Sequence, residues 1–318
     1  MMSITMTAQV EAYLAERTSL GFRGDGPNAS QLRSFGSFFD SSGHQGSLTS
    51  DLAIEWAKGH ARGSEPRAWA RRLDILRPFA AYLLREDPAT EFPQAQIFGR
   101  SQRRATPHIY TEDEISALLA AARRLDPEGG LRPAAFEAFY GLIAATGLRV
   151  SEAIKLRCAD VDLGSRCLTV RMTKFSKSRH VPLHATVAVA LADYLGMRDR
   201  FLPRVAEDPF FVSTPSRSLK KRAVHWTFQK LRDEAAIVAR GAYRNVRIHD
   251  LRHTFICRRI QRWQAEGVDI DNAIAALSTY VGHAKVSDTY WYLTGIPDLM
   301  ATAGNRFESF AFGEAVHD

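Results

Sequence analysis

The sequence RIHDLRHTF, residues 247–255, is the part of the chain from which its organisation can be inferred. His249 and Arg252 stand three positions apart among the apolar residues Ile248, Leu251 and Phe255. On a helix this spacing places both side chains along one edge. A hydrogen-bonding imidazole beside a planar, permanently charged guanidinium predicts a site that holds a phosphate group.

A second cluster follows further along the chain. Gly282 and His283 are adjacent, and Tyr292 stands nine positions after that histidine. A tyrosine placed against a phosphate clamp can act as a nucleophile on phosphorus. The two clusters predict a phosphoryl-transfer site if the fold brings them together.

The bulk composition is that of an ordinary globular protein. The 318 residues, 45% hydrophobic and 24% charged, are enough for two domains with separate cores. No apolar run approaches the ~20 residues that span a bilayer, and residues 1–10 lack a signal-peptide pattern. Cys158, Cys167 and Cys257 are scattered without metal-ligand spacing. We therefore expect a cytoplasmic protein with reduced thiols and no membrane partner.

Positive charge is concentrated in one part of the chain. The net charge is +7, but residues 166–262 carry 21 Lys and Arg against 7 Asp and Glu. Residues 1–110 carry 13 against 11. Because the suspected phosphate clamp lies inside the basic stretch, the charge favours a phosphate-backbone binder over a merely solvated surface.

Residues 1–88 are predicted to form a small helical domain. Apolar residues recur at three- and four-residue spacing in four segments, of which the last includes Pro78. Residues 89–110 combine prolines with a basic cluster and show no periodicity, which is typical of an interdomain linker. The remainder, 111–318, is predicted to be a second domain with a helical tail at its C-terminal end.

The second domain is predicted to be mainly helical with a small antiparallel β-sheet, an α+β fold. Thr111 and Glu114 have the spacing of a capping box, and a further helix breaks at Thr146-Gly147 just before Arg149. Alternation around Leu168 and Val181 predicts a hairpin. Its turn, residues 173–178, carries Lys174 and Lys177, and a short edge strand is predicted at 210–212.

Taken in order, these segments resemble the tyrosine recombinase/integrase family. The resemblance rests on TGLRVSE at 146–152, the hairpin with Lys174 and RHVPL at 179–183, HDLRHT at 249–254, VGH at 281–283, and Tyr292. It covers residues 111–294, and the helical domain ahead of them is similar to the family's core-binding domain. The run DTYWYL, residues 288–293, also resembles members carried by transposon-like elements.

The resemblance implies a role for each matched residue. Arg149 and Arg252 are expected to grip the non-bridging oxygens of the scissile phosphate. His249 and His283 would hydrogen-bond the same phosphate, with His249 also taking the proton of the tyrosine. Tyr292 would attack phosphorus to leave a 3′-phosphotyrosyl link. Lys174 would protonate the departing 5′ oxygen, and Glu152 would support the site.

The resemblance also implies the partners. These are double-stranded DNA, further copies of the chain in a tetrameric synapse, and, as an open alternative, sister recombinases; no cofactor or metal is needed. The residues considered for DNA contact, as alternatives to plain solvation, are Arg71, Arg72, Lys177, Arg179, Lys220, Lys221 and Arg222. Tyr290 and Tyr280 are the rival nucleophiles, and His253 is expected to be structural or to contact the DNA backbone.

Three functions remain open from the sequence. The leading one is a site-specific recombinase that integrates, excises or transposes a mobile element. The others are a type IB topoisomerase-like activity and a non-catalytic DNA-binding accessory to sister recombinases. The terminal helical tail could dock on its own domain or on a neighbouring subunit.

Overall fold

The computed structural model separates the chain into two compact units. The first comprises residues 1–104 and the second residues 105–318. Within them, the structure describes residues 5–22, 26–59, 65–99, 105–171, 178–201, 208–214 and 217–295. Along these parts of the chain, no helix is both long enough and apolar enough to cross a lipid bilayer.

The first unit contains the four helices expected from the spacing of its apolar residues. They are α1 Met6–Ser19, α2 Pro27–Ser41, α3 Ser50–Gly59 and α4 Pro66–Leu83. Helix α1 begins where the Thr5 hydroxyl accepts a hydrogen bond from the amide of Ala8. In the core, the rings of Phe35 and Trp56 meet edge to face at 5.3 Å, and both are fully buried.

The segment expected to be a linker contributes to both units. Phe92 and Phe98 pack against the core of the first unit. Tyr110 is 1% exposed in the core of the second unit, where its amide donates to the Thr254 hydroxyl at 2.9 Å. The aromatic residues therefore anchor the two ends of this proline-containing segment, which composition alone does not indicate.

The second unit is mainly helical with two small antiparallel sheets, which confirms the predicted fold class. Its helices are α5 Glu112–Arg123, α6 Leu131–Thr146, α7 Val150–Ile154, α8 Ala185–Asp199, α9 Lys221–Glu234, α10 Ile248–Ala265, α11 Ile270–Val281 and α12 Ser287–Gly295. Its strands are β1 Val161–Asp162, β2 Cys167–Val170, β3 Arg179–Pro182, β4 Val212–Thr214 and β5 Arg217–Ser218. The capping box of Thr111 and Glu114 is present at the start of α5.

The predicted hairpin forms two strands of a three-stranded sheet. The strand order is β1-β2-β3, and Leu168 pairs with Val181 in the antiparallel register. Both side chains are fully buried, so the alternation reflects one face packed on the core. The turn with Lys174 and Lys177 lies outside the described residues. The predicted edge strand lies slightly later, as β4, and pairs with β5 rather than with the hairpin.

Helix α6 forms the centre of the second unit and determines where the next elements begin. Phe139, Tyr140 and Ile143 are fully buried on it. The helix ends at Gly147, whose φ of 65° lies in the left-handed region and whose amide donates to the carbonyl of Ile143. Arg149 follows two residues later as the N-cap of α7. The turn thus brings Arg149 to the end of a rigid, buried helix.

Candidate active site

Helix α10 carries His249, Arg252 and His253 on one face, as the spacing predicts. The buried Asp250 carboxylate accepts from the backbone amide of Arg247 at 2.9 Å and so caps the helix at its first turn. His249, Arg252 and His253 then occupy positions i, i+3 and i+4. The imidazole rings of His249 and His253 meet edge to face, with 4.7 Å between centroids.

Arg252 is a buried cation with incomplete hydrogen bonding. It is 2% exposed, and Nη1 donates to the carbonyl of Gly147 at 2.6 Å. Its Nη2 is buried and has no hydrogen-bond partner among the described residues. Burial, together with repulsion by Arg149, lowers the pKa of Arg252 to about 9. A desolvated guanidinium with an unused donor is a strong anion-binding group.

Arg149 connects the start of α7 with the end of α11. Its Nη1 donates to Glu152 at 2.8 Å, and its Nη2 donates to the carbonyl of Gly282 at 2.6 Å. Glu152 also accepts from the backbone amide of Arg149 at 3.0 Å. The side chain remains 32% exposed. The first turn of α7 and the end of α11 therefore hold a partly accessible guanidinium in place.

Glu152 supports Arg149 from within the protein, and Arg179 supports Glu152. Arg179 donates to the two carboxylate oxygens of Glu152 at 3.2 and 2.9 Å, and its Nε donates to the carbonyl of Tyr280 at 2.8 Å. Burial by itself raises the pKa of Glu152, but Arg179 and then Arg149 outweigh it, so the pKa of this carboxyl is lowered. The carboxylate therefore stays ionised, as an arginine-holding role requires.

The position of Arg179 differs from the DNA-facing one considered for it. Its side chain is 10% exposed and points to Glu152 and to backbone carbonyls of α11. The physical reason is the burial of Glu152, because a carboxylate 8% exposed requires cationic partners. Arg179 is thus part of the support of the site.

His283 is oriented by a residue of the neighbouring helix. Its Nδ1 lies 2.7 Å from the hydroxyl of Thr289, which is fully buried on α12. A hydrogen bond to one ring nitrogen determines the tautomer of the imidazole and the direction in which the other ring nitrogen points. Since Thr289 and Tyr292 lie one turn apart, the same helix orients His283 and carries the tyrosine.

Tyr292 lies among the residues of this cluster. It is 3% exposed, and its ring is nearly parallel to that of His283, at 6.3 Å between centroids. Its hydroxyl oxygen lies 2.7 Å from Nδ1 of His253. The histidine in contact with this hydroxyl is therefore His253, whereas the sequence led us to expect His249. The i+4 spacing from His249 is the signal by which His253 could have been recognised.

The two rival tyrosines have other surroundings. Tyr290 is 39% exposed, and its hydroxyl donates to Asp271 at 3.3 Å. The hydroxyl of Tyr280 donates to the carbonyl of Pro182 at 3.1 Å, and its ring stacks on Phe255. Of the three tyrosines, Tyr292 is the one whose hydroxyl contacts a histidine of α10, His253.

The electrostatics of the cluster favour an anionic ligand. Desolvation by the surrounding protein and then the charges of Arg252 and other arginines lower the pKa of His249 to about 4. Burial and then His249 and nearby arginines lower the pKa of His253 to about 2. Both imidazoles are therefore neutral at pH 7 and can each donate and accept one hydrogen bond. The positive charge comes from the guanidinium groups.

The remaining predicted residues lie elsewhere or outside the described chain. Lys174 and Lys177 fall in the undescribed segment 172–177. Lys220, Lys221 and Arg222 are exposed at the start of α9. In the first unit, Arg71 is exposed on α4, whereas the guanidinium of Arg72 lies 3.8 Å from the centroid of the Trp56 ring. Arg72 therefore also contributes to packing within that unit.

Comparison with known proteins identifies the family of this chain. Residues 109–295 match the family model described as Phage integrase family. A protein of Sinorhizobium fredii named as a candidate integrase/recombinase, y4rB, is 35% identical over 96% of this chain and 97% of its own length. Tyrosine recombinase XerD of Caulobacter vibrioides is 32% identical over 73% of this chain and 72% of its own length.

A solved structure shares the fold. The XerH site-specific recombinase, crystallised on its palindromic difH substrate as a post-cleavage complex, aligns with a TM-score of 0.66 at 17% identity. The alignment covers 95% of this chain and 85% of XerH. Because the matched motifs, the arginine cluster and these comparisons agree, the chain belongs to the phage integrase family of tyrosine recombinases, which cleave and rejoin DNA.

Proposed function

We propose that Tyr292 is the nucleophile of this recombinase and that Arg149 and Arg252 bind the scissile phosphate. The observation that carries the proposal is the unused, buried Nη2 of Arg252 in the cluster that also contains Tyr292. In-line attack by the phenolic oxygen breaks the bond from phosphorus to the 5′ oxygen and leaves a 3′-phosphotyrosyl link. The reverse attack by a 5′ hydroxyl rejoins the strand, so no ATP is consumed.

The other groups divide the remaining tasks. Two guanidinium groups neutralise the charge that develops on the non-bridging oxygens, as positioned donors do in phosphoryl transfer. His249 and His283, the latter oriented by Thr289, donate hydrogen bonds to the same phosphate. From its position in the family pattern we assign proton uptake from the tyrosine to His249, while the adjacent His253 contacts the tyrosine hydroxyl. Lys174, from its position in the family pattern, protonates the departing 5′ oxygen.

The biological role that we propose is rearrangement of a mobile DNA element. The supporting observation is the similarity to y4rB, which is named as a candidate integrase/recombinase and matches this chain over nearly the whole length of both proteins. Integration, excision and transposition all use the same cleavage chemistry. Strand exchange requires four active sites at one junction, so we expect the protein to assemble as a tetramer on paired sites.

The nucleophile assignment is tested by trapping the covalent adduct. Wild-type protein is incubated with DNA from the ends of its own element, and the adducts are sequenced to locate the cleaved bond. We expect Tyr292→Phe to give no adduct, whereas the matched control Tyr290→Phe removes an exposed hydroxyl and keeps activity. Equal adduct formation by wild type and Tyr292→Phe would mean that another residue is the nucleophile, whereas no adduct from either protein would favour an accessory role.

The role in strand exchange is tested with two duplexes. A recombinase joins them into a Holliday junction, which migrates slowly on a native gel. Relaxation of one supercoiled circle without any junction from two duplexes would instead favour a topoisomerase-like activity. Recovery of recombinant products that retain the element's ends would identify which rearrangement the enzyme performs.

A further inference from the structure

The hydroxyl of Tyr292 is held by a histidine to which the motif-based assignment gives no catalytic role. Its oxygen lies 2.7 Å from Nδ1 of His253, and the centroids of the two rings are 5.6 Å apart. Because Tyr292 is 3% exposed, this contact is sheltered from water. A hydrogen bond in a region of low dielectric constant is stronger electrostatically than one in solvent.

His253 belongs to the same rigid element as the groups that bind the phosphate. His249, Arg252 and His253 lie on one face of α10, at positions i, i+3 and i+4. The separation between His253 and Arg252 is therefore determined by helix geometry rather than by a loop. A hydroxyl held at His253 consequently lies at a set distance from any anion held at Arg252.

The imidazole of His253 is itself held by packing. Its ring contacts the ring of His249 at 4.7 Å and that of Trp291 at 6.5 Å between centroids. Burial and neighbouring positive charge keep this imidazole neutral, since its pKa falls to about 2. A neutral ring can form the bond with the tyrosine hydroxyl in either tautomer.

We propose that His253 is a positioning residue, which holds the Tyr292 hydroxyl through Nδ1 and aligns it for attack on the phosphate bound by Arg149 and Arg252. This inference rests on the proposed assignment of Tyr292 as the nucleophile. Misplacement of a reacting atom by about 1 Å costs on the order of 10²-fold in rate. We expect a loss of that size when the hydrogen bond is removed.

The test uses variants that separate hydrogen bonding from proton uptake. His253→Phe keeps a ring of similar size but cannot hydrogen-bond, and His253→Leu repeats the test in case one of the two does not fold. His253→Asn offers an amide near the position of Nδ1 that can donate or accept but cannot take up a proton. The readouts are the rate of covalent adduct formation on a nicked duplex carrying the recombination site, the DNA affinity, and thermal unfolding.

The expected pattern is specific to positioning. His253→Phe and His253→Leu bind DNA as wild type does but form adduct on the order of 10²-fold more slowly. His253→Asn recovers most of that loss. If His253→Asn is as slow as His253→Phe, the residue supplies proton uptake rather than alignment and the proposal is wrong.

Two further results separate this inference from the function on which it rests. A folded His253→Phe variant that cleaves at the wild-type rate overturns the positioning role. If Tyr292→Phe gives no adduct in the same assay, the nucleophile assignment stands. Adduct formation by Tyr292→Phe overturns the proposed function itself, and the inference with it.

Discussion

The geometry of a single guanidinium distinguishes Arg252 from a generic positive charge. Nη1 is used for the carbonyl of Gly147, and Nη2 remains buried without a partner among the described residues. Arg252→Lys keeps the charge, but an ammonium lacks the planar fork of a guanidinium. It therefore cannot donate both in the direction of Gly147 and in the direction in which Nη2 points. We expect adduct formation to fall by on the order of 10²- to 10³-fold with little change in DNA affinity.

The matched control for this substitution lies on the same helix. Arg262 is 69% exposed and pairs with Glu266, so Arg262→Lys makes the same chemical change away from the cluster. Single-turnover cleavage of a nicked site measures both variants. Equal rates for Arg252→Lys and Arg262→Lys would show that charge alone suffices at position 252.

The buried imidazole of His253 predicts how stability depends on pH. Its pKa in the folded protein is lowered to about 2 by burial and by neighbouring positive groups, against an ordinary value of 6.5. Below pH 6.5 the unfolded chain binds a proton that the folded chain does not, so the free energy of unfolding decreases as the pH falls. His249, with its pKa lowered to about 4, contributes in the same direction.

His253→Phe removes one of the two imidazoles that take up a proton when the chain unfolds. We expect the free energy of unfolding of this variant to fall less steeply between pH 7 and pH 5 than that of wild type. Urea unfolding at a series of pH values measures the difference in slope. Parallel curves for the two proteins would mean that His253 is protonated in the folded state.

Among the structural elements, the turn between α6 and α7 determines the position of both arginines. Gly147 ends α6 with φ 65°, accepts from Arg252 through its carbonyl, and stands two residues before Arg149. A Cβ added at Gly147 would lie 2.7 Å from Cδ1 of Phe255, so the ring of Phe255 on α10 would have to move.

Gly147→Ala therefore combines backbone strain with displacement of the Phe255 ring. We expect it to lower the free energy of unfolding by about 1–3 kcal/mol and to reduce adduct formation in the fraction that remains folded. Gly267→Ala is the control, since Gly267 has φ 70° but nothing lies within 4 Å of its added Cβ. Denaturant unfolding and cleavage are compared for both. If Gly267→Ala impairs cleavage equally, the backbone strain rather than the contact with Phe255 is responsible.

The elements that could be predicted from the sequence are those with a local signal. The apolar periodicity of residues 7–84 and the alternation around Leu168 depend on near neighbours, and the corresponding helices and strands are present. Helix α8 was not predicted, because apolar residues such as Val189, 61% exposed, lie on its outer face and blur the pattern. The contact of Arg179 with Glu152 joins segments that are far apart in sequence, so the spacing of residues along the chain does not predict it.

For the whole molecule, the concentration of basic residues predicts how DNA binding responds to salt. The stretch 166–262, with 21 Lys and Arg against 7 Asp and Glu, contains Arg252 of the cluster and the exposed start of α9. Each phosphate that a cationic side chain neutralises adds about −0.9 to the slope of log K against log salt concentration. A loss of net charge without loss of contacts changes that slope little.

Two double variants with the same change in net charge separate these effects. Lys220→Gln with Lys221→Gln removes exposed charges at the start of α9. Arg123→Gln with Arg124→Gln removes charges at the end of α5 that pair with Glu137 and Glu234. If the α9 lysines contact phosphates, the first pair makes the slope shallower by about 1–2 and the second leaves it near that of wild type. DNA affinity measured at several salt concentrations gives the slopes. Equal slopes for the two pairs would mean that α9 acts only through the overall charge of the protein and does not lie on the DNA backbone.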